Sequence, residues 1–280
     1  MDIKEPIKRD KKLNITVLAD NSQYGIAAAH QGVLLAEVFQ ATLSVIANFD
    51  FHLPDKTKKI DTDFFEKLKT ATQESDDCKI FTEYVFPETL FKYAEDNNTA
   101  MFVIGVSNNK KDGFFDVKKA IKFIKSSRFP VMTITEDYRD ATPYKHVLLS
   151  LDIERQNKEK ALWAGYFSRF YGSIVKIFYP EYKDEGLSKA VNDNVAFVEK
   201  LYANLDISYE KHTAQSQCYF DQYAIENGER FEAGAAVIMM TKYYTLADVI
   251  TGPRERKIIG RSKIPVLCIN QRDDLYVLCT

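Results

Sequence analysis

The chain has 280 residues, enough for one large domain or two of about 140 residues each. Its 45% hydrophobic and 28% charged content is that of a globular protein, and 38 basic against 40 acidic residues leave a net charge of −2, which advertises neither a nucleic-acid nor a membrane surface. No uncharged apolar run approaches the roughly 20 residues that span a bilayer, and the charged opening MDIKEPIKRDKKLN lacks a signal peptide's apolar core, so a cytoplasmic location is expected.

In chain order, residues 1–12 read as a basic, solvated tail. ITVLA is a continuous apolar run and predicts a strand buried on both faces, followed by a helix of about 17 residues. TLSVIANF predicts the next strand. Beyond a polar loop, DTDFFEKLKTATQ has apolar residues at helical spacing, and CKIFTEYV predicts a third strand. PETLFKYAEDN is a third helix, AMFVIGV a fourth strand, and a fourth helix leads to a last strand in FPVMTI. After TEDYRDATPYK the series begins again with VLLSL, a helix, IVKIFYP, the helix NDNVAFVEKLYANL, DISYEKHT and the helix CYFDQYAIENGERF.

The second series is a repeat of the first. The stretch from Asn14 matches that from His146 at a shift of 132, which places Asp20 on Asp152. AMFVIGV and FPVMTI match AAVIMMT and IPVLCI at a shift of 135, so one small insertion separates the registers. Strands alternating with helices imply a parallel sheet, because each right-handed crossover needs a helix on a sheet face. Two doubly wound α/β domains are expected, over residues 13–138 and 143–280.

Five strands and four helices per half, an Asp closing the first strand and a final Pro-Val strand resemble the universal stress protein family over nearly the whole chain beyond the tail. Nucleotide-binding members of that family carry Gly-x-x-Gly, nine residues, then Gly followed by Ser or Thr, a helix and the Pro-Val strand. Gly252 stands thirteen residues before Pro265, where the last glycine belongs. Counting back ten and thirteen positions reaches Lys242 and Met239, so bulk stands where the family's glycines bring the backbone close to the phosphates. Pro253 removes a hydroxyl and an N–H donor. The corresponding first-half positions are Ile104, Ser107 and Val117, while Gly105 and Gly113 fall out of register, and GVSNNKKDG reads as a polar surface loop.

The resemblance implies an α/β fold of two five-stranded, Rossmann-like domains in tandem, of the adenine nucleotide alpha-hydrolase type, and a non-enzymatic role in stress response with degenerate nucleotide sites. The candidate ligand-binding residues are Asp152, Gly252, Arg254, Lys242 and Asp20. No cofactor is firmly expected; ATP is the ligand the family implies, with Lys242, Arg254 and Arg256 as cations able to neutralise its phosphates. Family members pair through their last strands, so PVMTI and PVLCINQRDDLYVL would join the halves as an intramolecular pseudo-dimer. A larger homodimer, unidentified protein partners, an ATP-binding sensor or weak ATPase, and a ligand-free scaffold all stay open.

Other chemistries lack a pattern. Cys78, Cys218, Cys268 and Cys279 are scattered without a C-x-x-C pair and read as reduced structural residues, and His30, His52, His146 and His212 show no metal-ligand spacing. There is no G-x-S-x-G turn to hold a nucleophile, so no catalytic centre is expected. Trp163, with Leu162, Tyr166 and Phe170 at helical spacing, reads as core.

Overall fold

The run NITVL forms β1 (Asn14–Leu18), all five residues buried, at the middle of the first half's five strands. The computed structural model describes residues 12–49, 60–73, 77–109, 112–135, 144–154, 158–214, 220–241 and 253–271. The first half continues with α1 (Gln23–Val38), β2 (Thr42–Ile46), α2 (Thr62–Thr72), β3 (Cys78–Phe81), α3 (Pro87–Asp96), β4 (Thr99–Gly105), α4 (Val117–Ser126) and β5 (Val131–Ile134). The second half has β6 (His146–Ser150), α5 (Lys158–Tyr171), β7 (Ile174–Pro180), α6 (Glu185–Leu205), β8 (Tyr209–Ala214) and α7 (Phe220–Glu226). A short 3₁₀ turn (Gly228–Phe231), β9 (Ala235–Met239), α8 (Arg254–Arg261) and β10 (Val266–Ile269) complete it.

Helix starts follow local chemistry. Ser22 accepts the Gly25 N–H at the head of α1, Asp116 accepts the Lys118 and Lys119 N–H groups at α4, and Asp184 accepts that of Leu187 at α6. Pro87 opens α3 at a position whose N–H has no helical partner to lose. Pro253 is the residue before α8, in extended conformation, and Arg254 is the first helical residue. Helix α6 begins at Glu185, well ahead of the sequence-based start in NDNVAF, because the Asp184 cap and Val191 extend the apolar face of Val195 and Val198 backwards.

The ten strands form one sheet in the order β3-β2-β1-β4-β5-β10-β9-β6-β7-β8. Pairing within each half is parallel throughout. Between halves β10 runs antiparallel to β5, with Leu267 opposite Met132, so neither Pro-Val strand is left as an open edge. One apolar layer holds the inner faces of α1, α2, α5 and α6, through residues such as Val33, Leu68, Ala164 and Val198. The other holds α3, α4, α7 and α8, through Leu90, Ile124, Ala224 and Ile259. Each half is therefore doubly wound, as expected.

The seam has its own chemistry. Buried Tyr144 donates its hydroxyl proton to buried Gln31 Oε1 at 2.6 Å, and Phe39 meets Phe167 edge-on at 5.1 Å between ring centres. Cys268 is buried and free in the seam strand β10, where desolvation pushes its thiol up, with the Glu255 charge adding to the effect. Cys78 is free as well; Cys218 and Cys279 lie outside the described residues.

The Trp163 stripe departs from expectation. Leu162, Tyr166 and Phe170 are 36 to 40% exposed, whereas Ala161, Ala164 and Phe167 on the neighbouring face of α5 are fully buried. Helix α5 is apolar on two faces: the small Ala161 and Ala164 let it approach the sheet, and the larger Tyr166 and Phe170 turn outward. Trp163 itself is half-buried and packs on the apolar layer of α1, α2, α5 and α6, as expected, with Tyr166 edge-on to it.

Candidate functional site

In an open parallel sheet the C-terminal ends of the strands on either side of the reversal in strand order form a crevice, because the crossovers on each side leave to opposite faces. That reversal lies at β1 and β4 in the first half and at β6 and β9 in the second. Asp20 and Asp152 stand two residues beyond β1 and β6, so both reach the crevice ends of their halves.

Asp20 is tied down by its own chain. One carboxylate oxygen accepts the Ser22 N–H at 3.2 Å and the Ser22 hydroxyl proton, and the other accepts the Phe114 N–H. Gly25 and Gly105 allow this closeness: a Cβ at Gly25 would lie 2.2 Å from the Asp20 carbonyl oxygen, and one at Gly105 would lie 2.1 Å from that of Tyr24. Gly105 thus seats the first turn of α1 against the end of β4. The loop GVSNNKKDG is not merely a surface loop, since Ser107 is fully buried and its hydroxyl donates to the Asn109 carbonyl at 2.7 Å. Phe114 and Phe115 then pack on Phe49, 4.9 and 5.9 Å away, over the same end of the sheet.

In the second half, Asp152 accepts the Glu154 N–H at 2.8 Å, and Asn194 of α6 donates to the Asp152 and Glu154 carbonyls at 2.8 and 3.3 Å. The Glu154 carboxyl is pushed up from its ordinary value, first by desolvation and then by the Asp152 charge, while Lys160 and Arg254 pull it down. Two of the candidate residues, Asp152 and Arg254, therefore act on one carboxyl group. Lys242 and Gly252 lie outside the described residues. Met239 is buried, its side chain packed in the α5 and α6 layer.

The start of α8 holds a group that sequence reading passed over. Glu255, in the first helical turn, is only 3% exposed, and its Oε1 accepts the Thr241 N–H from the strand end that leads into the missing glycine pattern. Its Oε2 has no hydrogen-bond partner among the described residues. A carboxylate in a first turn meets the positive end of the helix dipole, where a phosphate would otherwise sit.

Lys160 was missed as well. It is 1% exposed, and its Nζ lies 3.2 Å from Asp221 Oδ1 and 3.3 Å from Ser150 Oγ, with the Ser150 hydroxyl also donating to Asp221 Oδ1. The self-match contained the signal, because at a shift of 132 Lys160 falls on Ala28, fully buried in α1. Among the described residues no group of three His, Cys, Asp or Glu side chains could hold a metal ion, and no helix is long and apolar enough to cross a membrane. A cavity of about 540 Å³ opens at the seam among Gln23, Tyr24, Asn108, Thr135, Arg261 and Lys263. Neither Asp20 nor Asp152 lines it, so motif and cavity do not coincide.

A universal stress protein from Archaeoglobus fulgidus DSM 4304 matches the chain's structure with a TM-score of 0.68 and 13% identity, over 92% of this chain and 98% of that one. The chain has the universal stress protein fold, twice over. A functionally unknown protein from Pseudomonas aeruginosa PAO1 matches with a TM-score of 0.60 and 12% identity, over 96% of this chain and 95% of its own. No family model matches the sequence, and no curated protein does. The universal stress protein fold is thus carried here by a sequence only 13% identical to the Archaeoglobus fulgidus match.

Proposed function

We propose that the chain is a cytoplasmic, non-enzymatic stress-response protein of the universal stress type, acting through protein partners, whose crevices no longer serve ATP. The observation that carries this reading is Glu255. Its buried carboxylate stands in the first turn of α8, at the positive end of the helix dipole, and accepts the Thr241 N–H, so a phosphate brought to that helix start would meet a negative charge in a poorly solvated place. The first half supports the same reading, because the Asp20 carboxylate already accepts from Ser22 and Phe114 and Phe49 packs beside that loop.

A second reading, an ATP sensor or weak ATPase, draws on Arg254 and Asp152, which act on the same Glu154 carboxyl. Melting of the purified protein with and without magnesium-ATP separates the two, since a ligand of the native state raises the apparent melting temperature by mass action. No shift at millimolar ATP is the expected result. A saturable rise that Gly252→Trp abolishes would overturn it in favour of the sensor.

A further inference from the structure

The Lys160 cluster has no counterpart in the first half. Asn97 donates its side-chain N–H to the Tyr93 carbonyl at 2.8 Å, and Asn227 donates to Tyr223 at 2.9 Å, so α3 and α7 align through the same terminal bond. That register places Asp221 on Phe91, while the strand register places Ser150 on Leu18 and Lys160 on Ala28. Leu18 and Ala28 are fully buried, and Phe91 packs against Phe102 and Phe123. Three apolar residues in one half thus correspond to a hydroxyl, an ammonium and a carboxylate in the other, and these three touch one another.

Their placement gives the change a function. Lys160 stands on α5, which packs on one face of the sheet, and Asp221 on α7, which packs on the other. Ser150 is the last residue of β6, the strand at which the order reverses. The ammonium therefore crosses the end of the sheet inside the second-half crevice. A buried lysine loses hydration that only a close counter-ion and further acceptors restore. Asp221 supplies that counter-ion while keeping 29% of its side chain exposed, so the site faces solvent from the Asp221 side.

We propose that Ser150 and Asp221 form an ammonium-binding site in the second-half crevice, occupied in this chain by Lys160, so that the crevice is filled from within by a tethered cation. The filling of the crevice rests on the reading of the second half as free of nucleotide; the ammonium site itself rests on the contacts of Lys160. The occupant is the alkylammonium end of the lysine side chain, and the acceptors are one carboxylate and one hydroxyl oxygen. The first half, with Leu18, Ala28 and Phe91, has no such site.

The test uses the full chain and n-propylammonium, the fragment that Lys160→Ala removes. Lys160→Ala is expected to melt several degrees below the parent. Propylammonium chloride should raise its melting temperature saturably and recover at least half of the loss, relative to sodium chloride at equal ionic strength. The parent and Lys160→Ala/Asp221→Leu should show no such recovery. A folded Lys160→Ala protein that responds equally to both salts would overturn the proposal. If that variant does not fold, Lys160→Met keeps the stem and removes the charge; melting below the parent is expected, and melting at or above it would overturn the proposal. A magnesium-ATP shift of the parent with amine rescue intact would retire the nucleotide-free reading and leave the ammonium site standing.

Discussion

Asn270 Nδ2 lies 2.8 Å from the Ser127 carbonyl oxygen and donates to the Ile124 carbonyl as well, which caps the end of α4 from the other half. The mirror relationship exists 135 positions earlier, where Thr135 donates its hydroxyl proton to the Ser262 carbonyl at the end of α8. Both serines stop their helices in the same way, with Ser127 Oγ donating to Phe129 O at 2.8 Å and Ser262 Oγ to Ile264 O at 2.7 Å. Each half thus satisfies the terminal carbonyls of the other.

Asn270→Ala removes that donor; the Ile124 carbonyl keeps the Ser127 N–H, while the carbonyl of buried Ser127 loses its side-chain partner. A loss of about 1–3 kcal/mol in unfolding free energy is expected, the cost of an unmet buried acceptor. Urea unfolding measures it. A variant indistinguishable from the parent would mean that the two halves do not depend on this clasp.

Asp20→Ala removes the acceptor of the Phe114 N–H and the partner of Ser22. It should cost about 1–3 kcal/mol and release the Phe114 amide to fast hydrogen exchange. Retained protection at Phe114 would show that the loop holds its place without the carboxylate.

Glu255 separates charge from hydrogen bonding. Glu255→Gln keeps an oxygen for the Thr241 N–H and removes a buried charge, so stability should be unchanged or higher, whereas Glu255→Ala orphans that N–H and should cost about 1–3 kcal/mol. Equal losses in both variants by urea unfolding would show that the negative charge itself is needed there.

Phe167 and Phe170 test the orientation of α5. Phe167→Ala empties a fully buried site and should cost about 3–5 kcal/mol. Phe170→Ser, at a position 40% exposed, should cost far less. Similar costs for the two would restore the aromatic stripe to the core.

Alkaline stability follows from Cys268 and Tyr202, both pushed up by burial from ordinary values of 9.0 and 10.0. A folded value above the unfolded one means that the unfolded chain releases its proton first. The stabilising contribution is complete below pH 9 and is lost as pH rises through the unfolded values toward the folded ones. Unfolding free energy should fall steadily above about pH 9, and Cys268→Ala should flatten the first part of that fall. An unchanged slope in the variant would assign the loss to other groups.

The sequence by itself determined the layers and the repeat. Runs such as ITVLA and VLLSL, too short for helices and set between helical patterns, read as strands buried on both faces, and one series of apolar periods repeated at shifts of 132 and 135 implies two copies of one doubly wound unit. Asp20 and Asp152 were likewise placed at strand ends by the alternation of strand and helix. Tertiary structure alone decided what these positions touch. The outward face of Tyr166 and Phe170 depends on which side of α5 meets the sheet, and the sequence of that helix is apolar on both sides. The Phe114 N–H reaches Asp20 across 94 positions of chain, and Lys160 meets Asp221 across 61, pairings that only crossovers on opposite sheet faces bring together. Local pattern records which residues avoid water, and the path of the chain decides which polar groups among them become partners.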